Sequence, residues 1–174
     1  ACLLPRFMAL HRMDGACGLP GPRGRVLLPP ALPLSSERLE RHGVFLLDAG
    51  LAQFLWVGAA VHPELLLLLF GAASSAALPA PGPFTLPERD NDWSRRVHAI
   101  RAELRRLQRR GRAAPTTPLF LVREEANLDV LLGSGVGLRA LFQSCLVEDR
   151  AADAGPSYAQ FLQDTAAKAS ALSF

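Results

Sequence analysis

His11, His42, His62 and His98 are the side chains best suited to proton transfer near neutral pH. They stand far apart along the chain, and neither HExxH nor GxSxG occurs. Ser74 and Ser75 lie in an alanine-rich stretch without the strand-turn-helix setting of a nucleophile elbow. The glycines at 133, 135 and 137 look like a phosphate cradle, but Leu138-Arg139 follows them where a Walker loop needs Lys-Ser/Thr. Cys2, Cys17 and Cys145 are odd in number and form no CxxC pair, which argues against a disulfide framework or a zinc site within this chain. Thiols used this way suit a reducing compartment. An acid-base, triad or metal enzyme needs convergent titratable groups, and the spacing brings none together.

What remains is charge. Arg95, Arg96, Arg101, Arg105, Arg106, Arg109, Arg110 and Arg112 crowd one segment, while Lys168 is the only lysine. The plain reading is a solvated helix face around an apolar stripe, with Glu103 making local pairs. The sharper reading is a docking patch, Arg101, Arg105 and Arg109, for an acidic partner or anionic lipid. The net charge of +3 is too small to argue for nucleic acid, and no aromatic residues for base stacking interleave with the arginines.

The elements follow from the apolar pattern. With 174 residues, 49% hydrophobic and 20% charged, the chain can build a core. It opens on Ala1 and reads as part of a longer protein. The apolar run Leu65 to Phe70 is far shorter than the ~20 residues of a spanning helix. Residues 1–28 read as a short apolar-basic stretch followed by a Gly/Pro-rich linker. Ser35 or Ser36 caps a short helix that Gly43 ends. Val44 to Leu47 and Phe54 to Val57 are buried strands joined tightly as an antiparallel hairpin. Asp48 is a turn residue before Gly50, and Phe45 and Trp56 are core aromatics on neighbouring strands. Pro63 starts a helix that Gly71 stops. Asp90 or Asp92 opens the clearest helix, with Val97, Ile100, Leu104 and Leu107 on one face. Pro118 to Val122 is a third strand. A helix follows with Leu138, Leu141, Phe142, Cys145 and Leu146 on one face. Ser157 and Gln160 form a capping box for a last helix bearing Tyr158, Phe161 and Leu162. These elements predict an α/β (α+β) fold, a mixed sheet sandwiched between helices.

The stretch Gly43 to Gly50, with Phe45, Leu47 and Asp48, followed by Phe54 to Gly58 around Trp56, resembles the strand-turn-strand signature of gelsolin-like domains. At the far end, Leu146-Val147-Glu148-Asp149-Arg150 and then Ser157-Tyr158-Ala159-Gln160-Phe161-Leu162 resemble the closing LVEDR-type and SYxEFL-type segments of the COPII inner-coat cargo adaptor. Leu34-Ser35 with Glu37 and Leu39, Leu69-Phe70-Gly71, and Pro118 to Glu124 match further family segments. The resemblance covers about residues 29 to 165. Gln160 stands where the family has Glu, and Leu128 to Gly137 reads as an insertion.

The resemblance implies a non-catalytic module of a coat subunit. It assigns 1–28 to the end of an upstream helical region with its Pro/Gly-rich linker, 29–150 to the gelsolin-like domain and 151–174 to a C-terminal helix packing on the helical region. It implies a sister subunit as heterodimer partner, cargo proteins bound through the parent chain, and peripheral association with endoplasmic-reticulum membrane on its cytoplasmic face. It implies no cofactor in this segment, with zinc elsewhere in the parent chain. The alternative is a calcium-regulated, actin-binding gelsolin repeat. Gelsolin repeats carry a calcium carboxylate just before the first strand, where this chain has Gly43 and Val44. Glu64 alone is not a calcium site. Glu148 and Asp149 oppose the dipole of the helix they follow, so they are expected to pair with arginines across a packing interface.

Overall fold

A computed structural model describes residues 5–108, 116–125 and 135–146. Strand β1, Arg6–Ala9, opens the fold, and Ser36–Arg38 form a single 3-10 turn. Strands β2 (Val44–Asp48) and β3 (Gln53–Val57) follow, then helix α1 (Pro63–Phe70) and the two-residue strand β4 (Gly82–Pro83). Helix α2 (Asp92–Gln108), strand β5 (Leu119–Arg123) and helix α3 (Leu138–Ser144) complete the described elements.

The five strands form one mixed sheet in the order β1-β2-β3-β5-β4. β2 and β3 pair antiparallel with Phe45 opposite Trp56, while β3 and β5 pair parallel. Alternate residues of these strands supply two separate cores. On one face, Phe45, Leu47, Phe54, Trp56, Phe120 and Val122 meet Leu138, Leu141 and Phe142 of α3. On the other, Val44, Leu46, Leu55 and Leu121 meet Leu66 and Leu69 of α1 and Val97, Ile100 and Leu104 of α2. Helices therefore cover both faces of the sheet. That explains why the strands read as continuous apolar runs: every residue of β2 and β3 is buried.

Local chemistry sets the helix ends. Pro63 occupies the first turn of α1, and the His62 ring accepts the Glu64 N–H at 3.3 Å. Gly71 ends the helix in the left-handed region at φ 70°, a conformation other residues resist. The cap of α2 is Asn91, not Asp90 or Asp92. Its Oδ1 accepts the Ser94 N–H at 2.9 Å, and its Nδ2 donates to the Leu68 carbonyl at 2.8 Å, tying α2 to α1. Ser35 caps the 3-10 turn by accepting the Glu37 N–H, and that turn ends at Leu39, well before Gly43.

Two expectations change at the N-terminal end. Residues 6–9 are not the end of a helical region. They form the strand β1, paired antiparallel with β2, and Phe7 and Met8 are buried in opposite cores. The Gly/Pro-rich stretch is not a bare linker either. Cys17 is buried, Gly18 donates to the Leu27 carbonyl at 2.8 Å, and Leu32 donates to the Phe7 carbonyl at 2.7 Å. Strand pairing over such sequence distance leaves no local signal, and four residues are too few to show alternation.

Candidate binding surface

The hairpin residues singled out from the sequence come together, but as scaffold. Phe45 and Trp56 are buried, with ring centroids 5.7 Å apart at 63°. Leu47 lies in the same core. Gly50 takes φ 88° in the β2–β3 turn, where Ala49 N–H donates to the Ala52 carbonyl at 2.9 Å. At Gly58 any side chain would collide with the Arg41 carbonyl, so the close approach demands glycine.

Polar groups gather at the two ends of the sheet. Beyond the carboxyl ends of β3 and β5, Glu124 accepts the Ala59 N–H at 2.7 Å and faces Arg41 Nε at 3.5 Å. Arg139 donates to the carbonyls of Arg123 and Glu124, each at 2.8 Å. Arg123 donates to Ser75 O at 2.8 Å and pins the 75–79 loop. Their guanidinium groups therefore act as struts. The cleft between Gly58, Ser75, Leu78 and Arg123 encloses no volume for a small molecule.

A further cluster surrounds Glu40, which lies within 3.5 Å of His11, Arg12 and His42. Burial works to raise the Glu40 carboxyl, but the Arg12 guanidinium together with the two imidazoles outweighs it and holds it below the ordinary range. His11 sits 3.2 Å from both the N–H and the carbonyl of Val44, locking the entry into β2.

The opposite end of the sheet is different. Gln53 is fully buried at the start of β3. Its Oε1 accepts Arg101 Nε at 3.0 Å. Asp48, buried at the end of β2, accepts Gln108 Nε2 at 2.5 Å, and Thr117 donates to Gln108 at 3.4 Å. Burial raises the Asp48 carboxyl, opposed by the Gly50 N–H and the Gln108 amide. The turn role expected of Asp48 is present, with a buried network added to it. Burial, with Arg105 one turn on, pushes Arg101 down to about 10, still a cation at neutral pH.

This corrects the view that the arginines of α2 all face solvent. Val97, Ile100 and Leu104 are buried as the spacing predicts, but Arg96 and Arg101 are buried beside them. The spacing itself carried the signal. Arg96 lies three residues after Trp93 and four before Ile100, and Arg101 lies four after Val97 and three before Leu104. Arg105 is half-buried, and Arg109 lies outside the described residues. Glu148, Asp149, Arg150, Ser157, Tyr158 and Phe161 also lie outside them, with the C-terminal helix they were assigned to. Among the described residues no group of three or more His, Cys, Asp or Glu side chains is placed to hold a metal ion, and no helix is long and apolar enough to cross a membrane. Gln53 was missed from sequence, because nothing local marks it as buried, whereas Arg96 carries its signal in the helical spacing.

The Sec24 proteins of two fungi decide the family. The chain is 40% identical over 162 residues to the protein transport protein SEC24 of Pyricularia oryzae, and 39% identical over 162 residues to that of Neurospora crassa. Each alignment covers 92% of this chain. This segment belongs to the Sec24 family. The crystal structure of the human COPII-coat protein Sec24c matches its fold with a TM-score of 0.64 at 29% identity, over 97% of this chain and 20% of that one. A profile of the gelsolin repeat matches residues 25–101. The repeat speaks for the fold alone, whereas the Sec24 relatives account for nearly the whole sequence. The chain spans 16% of the length of those Sec24 relatives.

Proposed function

We propose that this chain is the gelsolin-like module of a COPII coat subunit, acting in cargo selection and vesicle formation for transport from the endoplasmic reticulum to the Golgi. The observation that carries this reading is the reach of the Sec24 similarity, 92% of the chain, well beyond the residues matched by the gelsolin repeat. The module acts by packing and binding, not by catalysis, and needs no cofactor of its own. Several of its charged side chains are bound up in structural contacts, as Arg123 and Arg139 are on backbone carbonyls. The parent chain pairs with a sister subunit, binds cargo and zinc elsewhere, and works peripherally on the cytoplasmic face of endoplasmic-reticulum membrane.

A chimera tests this. The matching segment of the Pyricularia oryzae SEC24 protein is replaced by this chain, and export of a secretory reporter is followed in cells lacking the native protein. The expected outcome is restored export. A chimera that accumulates folded yet leaves the reporter in the endoplasmic reticulum would sink the coat reading. Calcium-dependent co-sedimentation of the chain with actin filaments would favour the gelsolin-type alternative.

A further inference from the structure

Arg101 is only 9% exposed, yet no carboxylate pairs with it among the described residues. Among the described residues its one hydrogen bond runs from Nε to a neutral amide oxygen of Gln53, so both terminal nitrogens of the guanidinium are left over. The second nitrogen of that region, Gln53 Nε2, is buried and in hydrogen-bond geometry with nothing. It lies near enough to Asp48 to favour the ionised carboxylate, no more. Both unused groups are donors. Arg105, one turn along α2, adds a second positive charge against Arg101. Asp48, at the same end of the sheet, is engaged by Gln108, and Arg6 on β1 already acts on it. The terminal nitrogens of Arg101, unlike Gln53 Nε2, are not closed off from the surface, so these donors stay open to a group arriving from outside.

We propose that the Arg101–Arg105 end of α2 is a docking site for a carboxylate side chain presented by an acidic segment of a protein partner. A carboxylate is the complement of a recessed guanidinium, because it accepts two parallel N–H bonds in the plane of the fork. Recession also selects the partner. A single peptide side chain can meet a guanidinium that is only 9% exposed, whereas a lipid surface meets only side chains that stand out from the protein. The exposed arginines of the same helix do not compete well: Arg95 pairs with Asp90 at 3.1 Å and Arg106 with Glu103 at 2.6 Å. The site stands on this geometry and does not depend on the coat reading.

The test is an NMR titration of the whole 174-residue chain with a blocked hexaglutamate peptide, following the arginine Nε–H and glutamine side-chain resonances. The expected result is a saturable shift centred on Arg101 and Gln53. Affinity should fall about tenfold in Arg101→Gln and about threefold in Arg105→Gln, and stay unchanged in Arg95→Gln. Arg101→Lys keeps the charge and loses the fork, so it should behave like Arg101→Gln; full affinity in Arg101→Lys would reduce the effect to non-specific attraction and overturn the site. Each variant is compared through its backbone amide spectrum, so that a loss of fold is seen directly. Shifts spread evenly over Arg95, Arg105 and Arg106 would overturn the proposal. So would binding to phosphatidylserine vesicles that the peptide does not displace. If Glu148→Gln with Asp149→Asn moves the Arg101 resonance in the peptide-free chain, the site is filled from within and the proposal fails. Peptide binding alongside a failed chimera would leave the docking site standing without the coat.

Discussion

Helix α2 buries two arginines, Arg96 in its N-terminal part and Arg101 at its middle, and the two are used in opposite ways. Arg96 donates Nε to the Cys17 carbonyl at 2.5 Å and an Nη group to the Asp14 carbonyl. It also lies 4.0 Å from Asp92 and 5.6 Å over the Trp93 ring. Every donor that matters is used, and the Gly/Pro-rich segment is clamped to the helix as a result. Gly18 is glycine because the Arg96 backbone and Cβ fill the space where a side chain would stand. Arg101 meets a single neutral acceptor. Similar burial on one helix therefore produces a strut in one case and an open donor in the other. The difference comes from what the rest of the chain brings opposite: carbonyls of an irregular loop in one case, the amide of a strand residue in the other.

The strongest test of that contrast removes the strut. Arg96→Ala leaves the Cys17 and Asp14 carbonyls without their donor and should cost about 3 kcal/mol in urea unfolding, since each buried orphan costs ~1–3 kcal/mol. Hydrogen exchange should rise across residues 16–27 while β5 stays protected; unchanged exchange in that segment would end the clamp reading.

Arg101→Met should cost less, under about 1 kcal/mol, because it also removes a poorly compensated buried charge. Arg101→Met combined with Gln53→Leu takes away both partners and should be neutral or stabilising in the same unfolding assay. A loss as large as that of Arg96→Ala would make Arg101 a second strut.

The smallest effects lie in the pH dependence, and the two ends should differ in sign. At the Arg96 end, the Ala16 and Cys17 N–H groups hold the Asp14 carboxyl below its ordinary 3.8. Its stabilisation is present above that value and lost as pH falls through the depressed folded pKa. At the other end, burial raises Asp48 above 3.8. The folded chain there keeps its proton longer, so this contribution is present at low pH and lost as pH rises from 3.8 through the raised folded pKa. Thermal unfolding across the acid range should show Asp14→Asn removing part of the acid-side loss and Asp48→Asn removing a decline on the rising side. The same slope change in both variants would contradict the contrast.

Much of this fold was legible in local chemistry. The hairpin of Val44–Asp48 and Gln53–Val57 is built from residues close in sequence, bounded by Asp48-Ala49-Gly50 and Gly58, and forms as read. Pro63 and Gly71 bracket α1 as expected, and the stripe Val97, Ile100 and Leu104 faces the core. β1 and β4 were not legible. β1 is four residues long and pairs with a strand far along the chain, and β4 is two residues ending in proline at a sheet edge. Nor was the parallel register of β3 on β5, which depends on the helical crossover between them.

For the polar residues, sequence and structure divide the outcome at a definite point. Helical spacing alone puts Arg96 and Arg101 on the apolar stripe of α2, since residues three and four apart share a face. Asp48 reads as a turn residue and Gln53 lies outside the expected strand; only the pairing of β2 with β3, which extends to Asp48 opposite Gln53, puts both on buried strands. What each group then does depends on its opposite number, and those partners arrive from β1, the 14–18 loop and the β2–β3 turn through long-range packing. A guanidinium has no preference of its own between strut and open donor. The carbonyls or carboxylates that tertiary structure sets within about 3 Å of it decide, because hydrogen bonds and ion pairs inside a protein act only at contact distance.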